Sequence, residues 1–319
     1  MTSICLSLIV TLHLAAVYLS MMGPVVCLWL QWRAGRDEVA SQLDRDLLRL
    51  ASVMLTVAAL LGGIAIVLIA RLFPDAYLAA ARVLPERRYW YGAIELVFSL
   101  ACFLLASTVG AHERGSRGRF WTGWVATLLG STNLIYHFPT LFVILGVLCL
   151  RPDDWGQQIK FTTLLTDGEI VARLVHHLLA AMLLTGTWIA WHAMWRGGDL
   201  RPAAWGGRMA VAAVILQFVS GLWLVSAMPA GSRELLLGGD SLAAGLFALS
   251  LLAAFFIVPR LAAMALGHAE RRHTQVTLGL VLAVLFTMTA ARHRTREIRL
   301  GYQKANIEDG SADKPGSLR

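Results

Sequence analysis

The sequence has little charge and no stretch that resembles a soluble domain. Of its 319 residues only 15% are charged, whereas 57% are hydrophobic, and the mean hydropathy is +0.63. A soluble domain of this length would carry far more charge, so the composition predicts a polytopic membrane protein. The net charge of +8 lies mainly on arginines at the ends of apolar runs. Arginines at these positions set the orientation of membrane helices, which accounts for the positive charge. We therefore expect no nucleic-acid partner.

Cysteine-based cofactor motifs are also missing. No Cys-x-x-Cys-His run occurs, which excludes covalently attached c-type haem, and no zinc-ligand spacing is present. The four cysteines all lie within or at the edge of apolar runs: Cys5, Cys27, Cys102 and Cys149. The first apolar run is longer than the core of a signal peptide and has no basic segment before it. We therefore interpret it as a retained membrane span.

Eight apolar runs are long enough to cross a bilayer as helices, the open-ended element that a membrane tolerates. They predict an all-α, polytopic membrane protein, with spans at about 4–30, 50–73, 90–111, 121–150, 174–195, 207–228, 240–266 and 274–292. The distribution of arginines between the loops favours an N-terminus outside the cytoplasm. Because the number of spans is even, the C-terminus is then expected outside as well.

The polar loop at 151–173 divides these runs into two groups. Residues 1–150 and 151–295 could form two four-helix transmembrane halves, although no sequence symmetry relates them. Residues 34–49 are interpreted as a charged helical extension of the first span. The polar tail at 296–319 is expected to be disordered and extracytoplasmic.

The fourth run contains polar residues at a depth where lipid or packed protein should surround them. In Gly130–Pro139, Asn133 and His137 are four residues apart and therefore share one helix face. Pro139 frees a carbonyl one turn earlier and can bend the helix beside that face. Polar groups at this depth usually line a site. Asn133 could alternatively form a hydrogen bond between helices.

Several histidines from other spans are predicted at the same outer depth, at about 1.5 Å per residue along each helix. They are His13, His137, His176, His177 and His293, and Glu95 joins them from the third span. A single intramembrane histidine is more often a packed core residue than a ligand. The convergence of several helices on one layer favours ligation. Histidines at the inner ends have no assigned role, and His192 is interpreted as structural.

Imidazoles supplied by different helices suit haem iron, with one or two haems b as the predicted cofactor. Glu95 could take up a proton when an electron arrives. Arg292 and Arg294 lie at the outer end of the last span, where guanidinium groups can bind the propionates. Copper or zinc could use the same imidazoles, although their local ligand spacing is missing.

These residues resemble the haem-bearing large subunit of cytochrome bd-type quinol oxidases. The stretch Arg173–Gly186 is similar to that family's fifth helix, which implies His176 as an axial ligand, with His177 where a threonine is usual. Asn133-Leu-Ile-Tyr-His-Phe-Pro is similar to its fourth helix, with His137 in the place of a glutamine. His13 resembles the ligand of a high-spin haem, and Glu95 resembles a glutamate near the haem pair.

The chain departs from this family by lacking the long quinol-binding loop after the sixth helix, where only Ala230–Asp240 stands. The resemblance therefore implies a shortened cytochrome b subunit in a bacterial-type cytoplasmic membrane. Such a subunit would pass electrons between the quinone pool and a redox partner, such as a c-type cytochrome, within a larger, quinol-oxidising complex. His176, His13 and His137 would be the metal ligands, and Asn133 and Arg292 would contact the cofactor. A proton-coupled transporter and a haem-free structural anchor are the alternatives.

Overall fold

The computed structural model describes residues 2–109, 117–136, 138–197 and 199–308, and this part of the chain is helical with short connections and no strand. Its helices are α1 (Thr2–Ala34), α2 (Glu38–Leu72), α3 (Pro74–Val83), α4 (Arg87–Val109), α5 (Arg117–Tyr136), α6 (Phe138–Leu148), α7 (Phe161–Leu164), α8 (Gly168–Arg196), α9 (Arg201–Ala227), α10 (Ala230–Glu234), α11 (Ser241–Ala265) and α12 (Arg271–Glu308), with a 3-10 turn at Pro152–Asp154 and a π turn at Leu235–Gly239.

Eight helical segments are long and apolar enough to cross a membrane, with α5 and α6 together forming the fourth. The predicted all-helical, eight-span membrane fold is therefore confirmed. Each apolar run forms a helix because a chain inside a bilayer must satisfy its backbone hydrogen bonds within itself. His137 separates α5 from α6 and lies outside the described residues.

The second helix begins earlier than predicted. The chain turns at Gly35 and Arg36, and α2 begins at Glu38, so residues 38–49 do not extend the first helix. Asp37 causes this start, because its side chain accepts a hydrogen bond from the backbone N–H of Val39 and caps the helix. The charged segment thus belongs to a membrane-spanning helix, with Asp44 and Asp46 on its first two turns.

The last helix continues beyond its predicted end. Residues 296–308 are helical, in contrast to the disordered tail expected there, while 309–319 lie outside the described part of the chain. Residues of this extension contact the rest of the protein. Arg299 donates a hydrogen bond to the hydroxyl of Ser232, and the side chain of Leu300 is buried. These contacts with α10 stabilise a segment whose composition alone is typical of a solvated tail.

The first helix packs against both halves of the chain, since α1 contacts α2, α5, α8 and α12. A single apolar cluster joins both halves as well, and it includes Tyr18, Leu55, Phe103, Ala181 and Leu261. The division into two four-helix halves stays a prediction. In this arrangement α1, α8 and α12 contact one another. His13, His176, His177 and His293 lie on these three helices, whereas Glu95 lies on α4.

Candidate functional site

His13 lies on α1 and faces α2. Its Nδ1 atom is 2.9 Å from the carbonyl oxygen of Ala58. The imidazole packs directly on Gly62, where a Cβ atom would come within 2.8 Å of the ring carbon Cε1. Only a glycine at this position of α2 leaves room for the ring. Nε2 of His13 has no hydrogen-bond partner among the described residues.

His176 and His177 are neighbours on α8 and face different helices, since consecutive residues of a helix point about 100° apart. Nδ1 of His176 lies 3.2 Å from the hydroxyl oxygen of Ser220, and its ring passes Gly221 on α9. Nδ1 of His177 forms a hydrogen bond with the hydroxyl of Tyr18 on α1. Both rings are half-buried. In both, Nδ1 is the engaged nitrogen.

The structure does not gather the described histidines into one cluster. His13 faces α2, His176 faces α9 and His177 faces α1, because each occupies a different helix contact. Among the described residues, no group of three or more histidine, cysteine or acidic side chains could hold a metal ion. The predicted ligand His137 lies outside the described residues. His13, His176 and His177 nevertheless share one arrangement, with Nδ1 engaged and Nε2 available.

Asn133 joins α5 to α4. Its Nδ2 donates to the backbone carbonyl of Glu95 at 2.7 Å and to the hydroxyl of Ser99 at 2.8 Å. Ser99 in turn donates to the carbonyl of Gly130 at 3.1 Å. Phe103 approaches so closely that a Cβ atom on Gly130 would lie 2.7 Å from its ring. Asn133 therefore forms the interhelical hydrogen bonds that were one of its two expected roles.

Glu95 lines a small, partly open pocket between α4, α6 and α7. The lining residues are Arg88, Tyr91, Gly92, Glu95, Leu141 and Phe161. The guanidinium carbon of Arg88 lies 4.2 Å from the centre of the Phe161 ring, a cation–π contact at the edge of this pocket. A pocket of this size can hold water or a small polar group beside the carboxylate.

An ion-pair network holds the start of α8. Arg151 binds both carboxylate oxygens of Asp167, at 2.7 and 3.1 Å, and also Oε2 of Glu169 at 2.9 Å. Arg173 binds Oε1 of Glu169 at 2.5 Å, and both of these side chains are buried. Burial alone would raise the pKa of Asp167, but hydrogen bonds from Arg151 and from the backbone of Ile170 and Glu169 outweigh it and lower that pKa. Both carboxylates of this network are thus engaged by Arg151 and Arg173.

Two further arginines lie about one helical turn apart on α12. Arg292 and Arg296 lie against Gly146 of α6, where a Cβ atom would be 3.2 and 3.4 Å from their Nη2 atoms. Neither makes a hydrogen bond or an ion pair with the residues that the structure describes, and Nε of Arg296 is buried without a partner. Arg292 lies within electrostatic range of Tyr18 on α1 and His177 on α8. We call Arg292 and Arg296 the arginine pair.

Sequence analysis identified Arg292 but missed Arg296. The spacing of four residues that places both guanidinium groups on one helix face was present in the sequence. Arg296 was instead assigned to a polar tail. Arg294, the other predicted propionate contact, binds Asp240 through two hydrogen bonds of 3.3 and 3.1 Å. That hydrogen bonding lowers the pKa of Asp240, and Arg294 is therefore engaged by a carboxylate of the chain.

The chain matches no protein-family model and no curated protein. The features that bear on its function are the imidazoles on α1 and α8 and the arginine pair on α12.

Proposed function

We propose that the protein is a membrane cytochrome b subunit that transfers electrons between the quinone pool and a redox partner within a larger complex. One observation carries this proposal. Imidazoles with an anchored Nδ1 and an available Nε2 lie on helices that also contact α12, whose arginine pair has no anionic partner in the described chain. A haem b needs both kinds of group, one for its iron and the other for its carboxylates.

His176 fits the role of axial ligand. A ligating histidine usually has its other ring nitrogen held by a hydrogen bond, which fixes the orientation of the ring. The hydroxyl of Ser220 provides that bond on Nδ1 and leaves Nε2 for iron. His13 has the same arrangement through Ala58, which supports it as a second or alternative ligand. The bound haem would supply one-electron chemistry by cycling its iron between the ferric and ferrous states.

The arginine pair fits the propionates. Buried guanidinium groups without a carboxylate are costly, and an anion bound there would remove that cost. Glu169 lies within electrostatic range of Arg292, but its two oxygens are already bound by Arg151 and Arg173. Arg292 and Arg296 would therefore hold the anionic edge of the cofactor.

Glu95 is proposed as a proton carrier. Its pocket is too small for a ligand of cofactor size, and it suits water better than haem. A carboxylate beside such a pocket can accept a proton when negative charge arrives on the cofactor. Quinone and a c-type cytochrome are the proposed electron partners, and the bacterial cytoplasmic membrane is the proposed location. This part of the proposal rests on the resemblance to the quinol oxidases.

The test is a reduced-minus-oxidised visible spectrum of the purified full-length protein, with quantitation of haem per chain. We expect the α and Soret bands of haem b, and we expect His176→Ala to lose at least one haem. His192→Ala is the matched control, since His192 lies on the same helix but binds Asp46 and stacks on Trp188. A featureless spectrum from protein purified with its native partners would end the cytochrome proposal. It would leave the proton-coupled transporter and the structural anchor.

A further inference from the structure

Two acceptor atoms are buried without a donor near the C-terminal end of α1. They are Oδ2 of Asp44 on α2 and Oε1 of Gln31 on α1. Asp44 is 0% exposed and Gln31 is 2% exposed, so bulk water cannot supply the missing donors. Buried polar atoms of folded proteins are nearly always hydrogen-bonded, and two unsatisfied acceptors on adjacent side chains therefore indicate a donor beyond the described residues: a proton, a cation or an internal water.

The two side chains already share one hydrogen bond. Nε2 of Gln31 donates to Oδ1 of Asp44 at 3.3 Å and to the hydroxyl oxygen of Thr127 at 3.1 Å. The unsatisfied atoms are thus the second oxygen of the same carboxyl group and the oxygen of the same amide. A carboxylic acid and an amide can pair through two parallel hydrogen bonds, of which only the N–H to oxygen bond is complete here.

In the part of the chain that the structure describes, the other hydrogen-bond donors beside these two side chains are already engaged. The hydroxyl of Thr127 donates to the carbonyl of Gly123 at 2.9 Å. The thiol of Cys27 donates to the backbone carbonyl of Asp44 at 3.6 Å.

Among the described residues, no cation forms an ion pair with the carboxyl group, although Arg45 lies within electrostatic range of it. The neighbouring Arg45 is directed to Ser41 at 3.2 Å and to Glu38 at 3.5 Å. The side chains of other helices with hydrogen bonds at this group are neutral: Cys27 and Gln31 of α1 bind Asp44, and Thr127 of α5 binds Gln31. A charged carboxylate would be buried here without an ion pair, which is unfavourable.

We propose that Asp44 and Gln31 form a proton-binding site inside the membrane. A proton taken from water onto Oδ2 of Asp44 turns that atom into a donor, which then donates to Oε1 of Gln31. One proton thereby satisfies both unpartnered acceptors and removes the buried charge. The site lies thirteen residues along α1 from Tyr18, about 20 Å away. It uses none of the residues assigned to the cytochrome and does not depend on that proposal.

The site is tested by infrared spectroscopy of the full-length protein at neutral pH, in H₂O and in D₂O. We expect a carboxylic-acid carbonyl band that shifts in D₂O and disappears in Asp44→Asn. Asp46→Asn is the matched control, because Asp46 lies at the same end and is paired with His192 and Arg196. Its replacement should leave the band unchanged. An acid region identical in wild type and Asp44→Asn would overturn the proposal.

A second measurement separates a proton from a metal cation. Asparagine at position 44 offers the same donor and acceptor as a protonated aspartate, so we expect the melting temperature of Asp44→Asn to stay within a few degrees of wild type. Wild-type stability should also be equal in sodium and in choline chloride. Sodium-dependent stabilisation that Asp44→Asn abolishes would overturn the proposal in favour of bound Na⁺.

If Asp44→Asn cannot be purified, Gln31→Met provides the deciding variant. It removes the acceptor of the proposed O–H bond while leaving the carboxyl group in place. The acid band should then move to higher frequency, because the carbonyl loses its donor and the hydroxyl loses its acceptor. An unshifted band in Gln31→Met would overturn the pairing.

Discussion

At the scale of single residues, the three histidines proposed to lie near the cofactor differ in the atom that Nδ1 of the ring contacts. Nδ1 of His13 contacts the carbonyl oxygen of Ala58. Nδ1 of His176 contacts the hydroxyl of Ser220, and Nδ1 of His177 contacts the hydroxyl of Tyr18. The available Nε2 atoms distinguish these residues from His192, whose Nε2 binds Asp46 at 3.1 Å. Uncompensated guanidinium groups on α12 complete the set of groups that could hold an anionic cofactor.

The arginine pair should raise the midpoint potential of a haem bound beside it. Replacing Arg292 with Gln removes one positive charge. At a separation of about 10 Å and an effective dielectric constant of about 20, that charge contributes roughly 1.7 kcal/mol, or roughly 70 mV. We expect the potential to fall by that order in a redox titration. Arg299→Gln is the control, because Arg299 binds Ser232 further along the same helix. Equal potentials in wild type and Arg292→Gln would contradict the assignment.

The ion pair of Asp167 should stabilise the protein in a pH-dependent manner. Its pKa is lowered in the folded state, so the stabilisation is fully present above the unfolded pKa of about 3.9 and is lost as the pH falls through the folded pKa. Asp167→Asn keeps the helix cap but loses the ion pair, and about 1 kcal/mol of destabilisation is expected at pH 7. Asp167→Ala also loses the cap, for about 2 kcal/mol in total. Melting temperatures at pH 7 and below pH 4 test this, and a difference that does not shrink in acid would be inconsistent with it.

At the scale of helices, small residues decide how closely neighbouring spans approach. Gly186 of α8 and Gly206 of α9 meet back to back, and a Cβ atom on Gly186 would lie 2.6 Å from the carbonyl oxygen of Gly206. Close approach of this kind is typical of membrane helices, where van der Waals packing replaces the hydrophobic effect as the main attraction. Further along the same pair of helices, Ser220 of α9 lies within reach of His176.

Adding a methyl group at this contact should separate α8 from α9. For Gly206→Ala we expect about 1–3 kcal/mol of destabilisation, since the new Cβ atom meets backbone that cannot move aside. Lower haem content is expected as well if His176 is a ligand. Gly245→Ala on α11 is the control, because a Cβ atom there meets nothing within 4 Å. Thermal denaturation of both variants decides the matter, and similar melting temperatures would show that the close approach is unimportant.

At the scale of the whole molecule, ion pairs join loops and helix ends on each side of the bundle. Arg201 binds Asp37, and Arg196 binds Asp46, so the connection between α8 and α9 lies at the same end as that between α1 and α2. Asp240 and Arg294 join the start of α11 to the outer part of α12. The Asp44–Gln31 site lies toward the first of these ends.

The orientation of this bundle is a further prediction. The arginine distribution favours cytoplasmic loops at 35–37 and 197–200, and both termini outside. Alkaline phosphatase fused at the C-terminus should therefore be active, whereas green fluorescent protein inserted at 197–200 should fluoresce. The reverse pattern would show the opposite orientation.

The sequence alone determined the membrane fold and the approximate depth of each polar residue. The thickness of a bilayer sets the length of an apolar run, and a rise of about 1.5 Å per residue then sets the depth along it. The tertiary structure alone decided the direction and partner of each side chain, because a rotation of one helix about its axis changes every contact without changing any depth. Thus His176 and His177 face different helices, Arg296 joins Arg292 against Gly146, and Asp44 meets Gln31 and Thr127. The starting point of α2 and the extension of α12 were likewise decided by a cap at Asp37 and by contacts with α10.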